Sequence, residues 1–175
     1  TVSALAWIIA SVVGCLVGVA RTTPIRWLRA AGTVYVELFR NIPLLVQMFL
    51  WYFVMPEVVP KAMGDWLKQD LPYYLTLPFA AQFSLWELTA AVLCLGLYTA
   101  SRVAEQVRSG IESLPRGQTD AGLAMGFTLP QVYRHVTLPM AFRIIIPPMT
   151  SEFLTIFKNS STALTIGVLE LTAQS

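Results

Sequence analysis

The chain has 175 residues, of which 55% are hydrophobic and 13% are charged, and its formal net charge is +2. The charged share of an ordinary soluble domain is about 25%, so this composition disfavours a water-soluble globular fold and favours a chain that lies in lipid. No basic run supports nucleic-acid binding. Cys15 and Cys94 occur in apolar segments without CxxC or Cys/His spacing, which predicts neither a disulfide framework nor a metal site.

Four apolar segments are long enough to be membrane spans. A hydrocarbon core of about 30 Å needs about 20 mainly apolar residues per helix, and such stretches cover residues 1–20, 33–55, 85–103 and 144–169. The sequence therefore predicts an all-α, polytopic membrane helical bundle in one domain. Because the chain opens and stops inside apolar patterns, we expect residues 1–175 to be a piece truncated at both ends.

Proline and glycine positions predict where these helices pack, bend and end. Ala10, Gly14 and Gly18 form a stripe on which a second helix can pack closely. Pro24 is expected to end the first helix and Pro43 to kink the second span. Pro147 and Pro148 are expected to start the fourth helix, and Gly167 to break it.

Basic residues are unevenly shared among the connections between spans. Arginines follow the first and third spans, whereas acids outnumber lysines after the second span. Cytoplasmic connections carry an excess of Lys and Arg. We therefore expect residues 21–31 and 106–143 in the cytoplasm, and residues 56–83 and the N-terminus outside.

Polar side chains within the apolar segments mark a candidate translocation path. An ionisable residue inside a membrane is costly and is by default a functional candidate. The alternatives are a helix end that emerges into headgroups, an internal pair of Arg102 with Glu105, or interhelical hydrogen bonding near Lys158. The candidate substrate-pathway residues are Gln47, Tyr98, Arg102, Glu105, Lys158, Asn159, Ser160 and Ser161.

The segment from Asp120 to Pro139 has the most specific pattern in the chain. Small residues predict a slim first helix, Gly126 a tight reversal, and Thr128-Leu-Pro-Gln131 a capped second helix. The spacing resembles the EAA loop of ABC importer permeases, which reads Glu-Ala-Ala, three residues, Gly, nine residues, Ile, any residue, Leu-Pro. Asp120 replaces the Glu of that pattern and Val136 the Ile. The candidate ATPase-coupling residues are Asp120, Ala121, Gly122, Gly126, Val136, Leu138 and Pro139.

The resemblance covers nearly the whole chain. Residues 37–47, 97–111 and 158–161 are similar to the polar amino acid permeases, which include histidine, glutamine and glutamate transporters. Residues 102–108 and 147–152 are most similar to the glutamate/aspartate members of that group. The resemblance implies a type I ABC importer transmembrane domain with a cytoplasmic coupling helix and about four of five spans. It also implies a bacterial inner-membrane location and import of an amino acid, with glutamate or aspartate expected.

The same resemblance implies a set of partners. These are a dimer of ATPase subunits that bind ATP and Mg, a second and different permease subunit, a periplasmic or extracellular substrate-binding protein, and membrane lipid. The 175 residues contain no GxxxxGK[ST] loop for ATP phosphates, so we expect no cofactor on this chain and hydrolysis on another polypeptide. Arg102 and Lys158 would suit the carboxylates of an acidic amino acid, and Glu105 its ammonium group.

Two other functions fit parts of the sequence. An ion-gradient-driven secondary amino acid transporter would use Glu105 and Glu152 as coupling carboxylates, but it leaves the pattern from Asp120 to Pro139 unexplained. An intramembrane enzyme would need a catalytic constellation, and the chain contains no HExxH, GxSxG or Ser/His/Asp motif. We therefore expect a transport subunit rather than an enzyme.

Overall fold

The structure, a computed structural model, describes the backbone of residues 2–58 and 85–173. Side chains are described over the same ranges except at residues 52, 56, 57, 85–88, 116 and 161–173. Within these ranges every regular element is helical and none is a strand, which confirms the all-α prediction. Most of the connection predicted to lie outside, residues 56–83, falls outside the described residues, as does the side chain of Ser161.

Eight α-helices and two π-helical turns make up the described chain. Leu50–Val54 is one π-helical turn, and Tyr133–Thr137 is the other. By length and composition, Val2–Thr22 and the run Leu129–Ser160 can cross a membrane, whereas the other two predicted spans remain predictions. The helices are α1 (Val2–Thr22), α2 (Arg26–Asn41), α3 (Leu44–Phe49), α4 (Met55–Val58), α5 (Leu85–Glu112), α6 (Arg116–Ala124), α7 (Leu129–Val132) and α8 (Leu138–Ala173).

A close helix contact joins α1 to α5, which run parallel. A Cβ atom added at Gly14 would lie 2.6 Å from Cβ of Val103 and 2.9 Å from the carbonyl oxygen of Ala100. One turn further, a Cβ on Gly18 would lie 2.6 Å from Cβ of Val107. The stripe predicted from Ala10, Gly14 and Gly18 is thus present, and its missing side chains allow the two backbones to approach closely.

Two apolar clusters hold the other helices around α5. The first contains Ala6, Met48, Cys94, Leu95 and Ile156, which come from α1, α3, α5 and α8. The second lies between α5 and α8 and contains Val103, Val107, Ile111, Ala141 and Ile145. Since Ile145 contacts Gly110 and Glu152 contacts Arg102, α8 runs antiparallel to α5.

The proline predictions for the first two helices are only partly right. The first helix ends at Thr22, before Pro24, as expected. Pro43 does not kink a continuous second span; α2 ends at Asn41, and Pro43 precedes α3. Steric conflict with the proline ring disfavours helical geometry in the preceding residue, and Ile42 accordingly has φ −99° and ψ 125°.

Two further predictions, for the fourth helix, are wrong. Pro147 and Pro148 lie inside α8 rather than at its start, and the helix continues through Gly167 to Ala173. The helical run already begins at Leu129, so the prolines lie beyond its start and remove single backbone hydrogen bonds from an established helix. A glycine costs a helix only about 1 kcal/mol relative to alanine, which is too little to end an established helix.

We predict that Gly14→Ala lowers the melting temperature of the full-length protein purified in detergent. The added methyl group would collide with Cβ of Val103 and with a backbone oxygen, and overpacking of this kind costs about 1–3 kcal/mol. Gly117→Ala is the matched control, because a Cβ there meets nothing within 4 Å. An unchanged melting temperature for Gly14→Ala would contradict the close contact of α1 with α5.

Candidate functional site

Residues 116–137, called the knob below, form a compact helical hairpin. The backbone at Gly126 has φ +88°, a conformation that glycine adopts without steric cost. It allows α6 to end in a Schellman turn, in which the amide of Phe127 donates to the Gly122 carbonyl at 3.2 Å and the amide of Gly126 to that of Leu123 at 2.9 Å. The reversal predicted at Gly126 is therefore present.

The second arm of the knob starts with a capping box. The backbone amide and the hydroxyl group of Thr128 both donate to Oε1 of Gln131, at 2.8 and 2.9 Å, and proline occupies the first turn. Val132 is fully buried against Gly122, where an added Cβ would lie 2.9 Å from Cγ2 of the valine. The two arms therefore pack as one unit.

The outer surface of the knob is apolar at its tip. A run of exposed hydrophobic side chains surrounds the reversal, and Met125 is 69% exposed. Contiguous exposed apolar side chains mark sites of protein interaction. The tip residues are Leu123, Met125, Phe127 and Leu129. Among the predicted coupling residues, Asp120, Ala121, Gly126 and Pro139 are exposed, Val136 and Leu138 are half-buried, and Gly122 is buried.

A bidentate ion pair joins α5 to α8. Nε of Arg102 donates to Oε2 of Glu152 and Nη2 donates to Oε1, both at 2.9 Å. Nε2 of Gln106 adds a third hydrogen bond to Oε1 at 3.1 Å. Glu152 is 7% exposed, whereas Arg102 is 42% exposed. The carboxylate is thus enclosed and paired with a cation, while part of the Arg102 side chain remains accessible.

Glu105 lies in a second ionic cluster, between three helices. Nη1 of Arg21, at the end of α1, donates to Oε2 of Glu105 at 2.6 Å. Arg40 on α2 and Arg108 on α5 approach the same carboxylate at 3.6 and 3.4 Å. Glu105 therefore binds arginines of neighbouring helices, and the structure does not pair it with Arg102.

Gln47 forms hydrogen bonds with the end of α2. Its Nε2 donates to the carbonyl oxygens of Phe39 and Ile42, at 2.6 and 2.9 Å. These carbonyls belong to the C-terminal end of α2, which Pro43 interrupts. Because Gln47 is only 4% exposed, its amide group satisfies backbone acceptors that would otherwise be buried without a donor.

The remaining predicted pathway residues lie along α5 and α8. Tyr98 is half-buried one turn before Arg102. Lys158 is exposed and stands about 9 Å beyond Glu152 along the helix axis, at the usual rise per residue. Asn159 and Ser160 are half-buried, and the Ser160 hydroxyl donates to the Phe157 carbonyl at 2.7 Å. The structure thus separates the Lys158 group from the Arg102 pair by under two helical turns.

Arg21 and Gln106 are site residues that the sequence pattern does not single out. In the sequence, Arg21 is simply the basic residue that follows an apolar span, and Gln106 lies in the polar end of a helix. Glu152 is an ionisable residue among apolar ones, which is the criterion that selects Arg102. The two partners are 50 residues apart in the sequence, so the sequence alone does not pair them. Among the described side chains, no three His, Cys, Asp or Glu residues gather to hold a metal ion.

Comparison with known proteins identifies the family of this helical bundle. Residues 10–175 match the family described as "Binding-protein-dependent transport system inner membrane component". The chain belongs to this family. Family membership confirms the resemblance predicted from the sequence, and with it the type I ABC importer transmembrane fold. Members are transport components of the inner membrane rather than enzymes.

Individual relatives cover almost the whole chain. It is 54% identical over 173 residues to the glutamate/aspartate import permease protein GltJ of Escherichia coli (strain K12), which covers 99% of this chain and 66% of that protein. It is 35% identical over 167 residues to the probable glutamine ABC transporter permease protein GlnM of Bacillus subtilis (strain 168), covering 94% and 65%. The chain therefore spans slightly less than two thirds of the length of these curated relatives.

A solved structure has the same fold. The crystal structure of an amino acid ABC transporter with histidines superposes with a TM-score of 0.70 and 26% sequence identity. The match covers 95% of this chain and 67% of that one. The arrangement of α1, α5 and α8 around one another is thus shared with a transporter of known structure.

We predict that Glu105→Gln destabilises the protein more than Glu112→Gln. Loss of the Glu105 charge leaves Arg21, which is 7% exposed, without its counter-ion, and breaking a largely buried pair costs on the order of 2–3 kcal/mol when one partner is partly exposed. Glu112 is 51% exposed and pairs with Arg108 at 3.5 Å, so its loss costs about 0–1 kcal/mol. Thermal unfolding in detergent measures both, and equal melting temperatures would contradict the cluster.

Proposed function

We propose that the chain is the permease subunit of an ATP-driven importer, that it forms half of a translocation path for an acidic amino acid, and that the knob couples it to a separate ATPase. The observation that carries this proposal is the knob itself, a rigid hairpin with an apolar tip in a family of binding-protein-dependent transport components. Residues 1–175 then belong to a single type 1 transmembrane domain.

The shape of the knob supports docking to an ATPase. The tip presents Leu123, Met125, Phe127 and Leu129, which a partner groove can bury. Since Gly122 and Val132 pack the two arms together, a push on the tip moves the knob as one body. ATP and Mg would bind to the partner ATPase dimer, and this chain would transmit the movement to α5 and α8.

The charges on α5 and α8 support an acidic amino acid as the substrate. The accessible side of Arg102 and the ammonium group of Lys158 are cations on facing helices, and carboxylates bind such groups through charge-assisted hydrogen bonds. Tyr98, Asn159 and Ser160 supply neutral polar groups nearby, and Ser161 continues that row in the sequence. The 54% identical relative is named a glutamate/aspartate import permease, which favours these two substrates.

Three further proposals concern assembly and orientation. The family description supports a periplasmic or extracellular binding protein as the source of substrate. Exposed apolar side chains on α8, including Leu154 and Phe157, suit a second, different permease subunit across the path. The parallel run of α1 with α5, and the antiparallel run of α8, fit a multi-pass chain whose knob lies in the cytoplasm and whose N-terminus lies outside.

An ion-gradient-driven transporter is less well supported. Its coupling carboxylates would be Glu105 and Glu152, and both are bound by arginines in the structure. A carboxylate that arginine side chains already bind is less available to bind a coupling ion. The family match also favours the ATP-driven importer.

We predict that Gly126→Val weakens association with the ATPase, whereas Gly126→Asn largely retains it. Valine at φ +88° strains the backbone by about 1–2 kcal/mol or more, while asparagine is among the residues that tolerate this region. Co-purification of the ATPase with the full-length permease measures the effect. We expect about a tenfold loss for valine. Normal ATPase recovery with valine would argue against docking through the knob.

We predict that Lys158→Ala spares assembly and reduces uptake of glutamate and aspartate. Loss of one charge-assisted contact with a substrate carboxylate lowers kcat/KM on the order of tenfold or more. Uptake into proteoliposomes that contain the full complex is the measurement. Arg143→Ala is the matched control, an exposed cation on the same helix near the knob. Wild-type uptake by Lys158→Ala would make Lys158 structural.

A further inference from the structure

A hydrogen bond joins the knob to the end of α1. The phenolic hydroxyl of Tyr133 donates to the backbone carbonyl of Thr22 at 3.0 Å, across 111 residues of sequence. Thr22 is the last residue of α1, and the final carbonyls of a helix have no partner within the helix. Tyr133 therefore satisfies a terminal acceptor of α1 from an element that is distant along the chain.

The tyrosine is firmly attached to the knob. It directly follows Val132, which is fully buried against Gly122. It is also the first residue of the π-helical turn Tyr133–Thr137, through which the knob continues into α8. π-Helical turns are rare and frequently occur at functional positions in helices. A displacement of the knob therefore displaces the Tyr133 ring by the same amount.

Several hydrogen bonds stabilise the end of α1. The hydroxyls of Thr22 and Thr23 donate to the carbonyls of Val19 and Ala20, at 2.8 and 2.7 Å. Nη2 of Arg29 donates to the Thr23 carbonyl at 2.9 Å, which fixes the turn into α2. On the side of α5, Arg21 holds Glu105. A pull on the Thr22 carbonyl is thus applied to the whole helix end rather than to a frayed residue.

The backbone connects the knob directly to α5 and α8 but not to α1. Residues 113–115 connect α5 to the knob, and the π-helical turn connects α8 to it, so both helices follow the knob through the backbone. The backbone route from the knob to α1 instead passes through α5 and everything before it. Packing at Gly14 and Gly18 and the Arg21–Glu105 pair also hold α1 to α5. Beside these contacts, the Tyr133 hydrogen bond joins α1 directly to the knob.

We infer that Tyr133 is a positioning residue that makes the Thr22 end of α1 move with the knob, so that α1, α5 and α8 respond together when the knob is displaced. The inference rests on the proposed docking of the knob to an ATPase. It assigns to one hydroxyl group the direct link between the knob and α1, in addition to the packing of α1 on α5.

Tyr133→Phe tests this role by removing one oxygen atom. In proteoliposomes containing the full complex, with its ATPase, second permease and binding protein, we expect normal assembly and ATP hydrolysis. The number of glutamate molecules taken up per ATP hydrolysed should fall on the order of fivefold, as expected for loss of one hydrogen bond. This ratio does not depend on the fraction of active complexes, so a merely structural defect leaves it unchanged.

Tyr35→Phe is the matched control. Its hydroxyl donates to the Leu97 carbonyl at 2.7 Å and joins α2 to α5, away from the knob. The chemical change is identical, and the hydrogen bond again connects a side chain to the backbone of another helix. We expect the uptake ratio of Tyr35→Phe to equal that of the wild type. An equal fall in both variants would overturn the assignment to Tyr133.

A second readout requires no transported substrate. Nitroxide labels at Leu16 and Ile144, exposed residues of α1 and α8, report the distance between these helices after Cys15 and Cys94 are replaced by alanine. On addition of ATP and vanadate we expect a distance change that is smaller in Tyr133→Phe than in the wild type. An equal change in both overturns the inference. Absence of glutamate uptake by the wild type would instead refute the proposed substrate and leave this distance comparison decisive.

Discussion

The close approach of α1 to α5 is the constraint on which the charged part of the structure depends. Gly14 and Gly18 remove the side chains that would separate the two backbones, and Val103 and Val107 fill the space. This contact brings Arg21, at the end of α1, within 2.6 Å of Glu105. With Glu105 bound to other helices, Arg102 reaches across to α8. Packing between uncharged faces of two helices thus brings the Arg21–Glu105 pair together.

The polar groups among the apolar helices follow from the same need for internal partners. In hydrocarbon each unsatisfied backbone or charged group costs several kcal/mol, on the order of 2–7 for a neutral one. Gln47 accordingly donates to two carbonyls that Pro43 leaves open, and Glu152 receives three hydrogen bonds. Arg102 differs because 42% of its side chain stays exposed, and that exposure makes it the better candidate for contact with a passing anion.

The knob is connected directly to the helices that carry the ion pairs. The backbone enters the knob from α5 and leaves it into α8, and Tyr133 adds the end of α1 through a hydrogen bond. The two partners of the Arg102–Glu152 contact therefore lie on the two helices that continue directly into the knob. The knob is continuous with α8 through the π-helical turn and is joined to α5 by the three residues 113–115. Short connections of this kind suit the proposed transmission of a rigid-body movement.

The sequence alone determined the features that depend on neighbours within a few residues. The end of α1 before Pro24, the reversal at Gly126, the cap formed by Thr128 and Gln131, and the family pattern of residues 120–139 are of this kind. Only the tertiary structure decided which partners the charged residues have, because Arg102 and Glu152 are 50 residues apart and Arg21 and Glu105 are 84 apart. The tertiary structure also keeps α8 helical through Pro147 and Pro148, where local rules predict a helix start. The helix has already begun upstream, and its packing against α5 contributes more free energy than the single hydrogen bonds lost at the prolines. Local chemistry sets where a helix can turn, whereas the closest packing of whole helices sets which side chains meet.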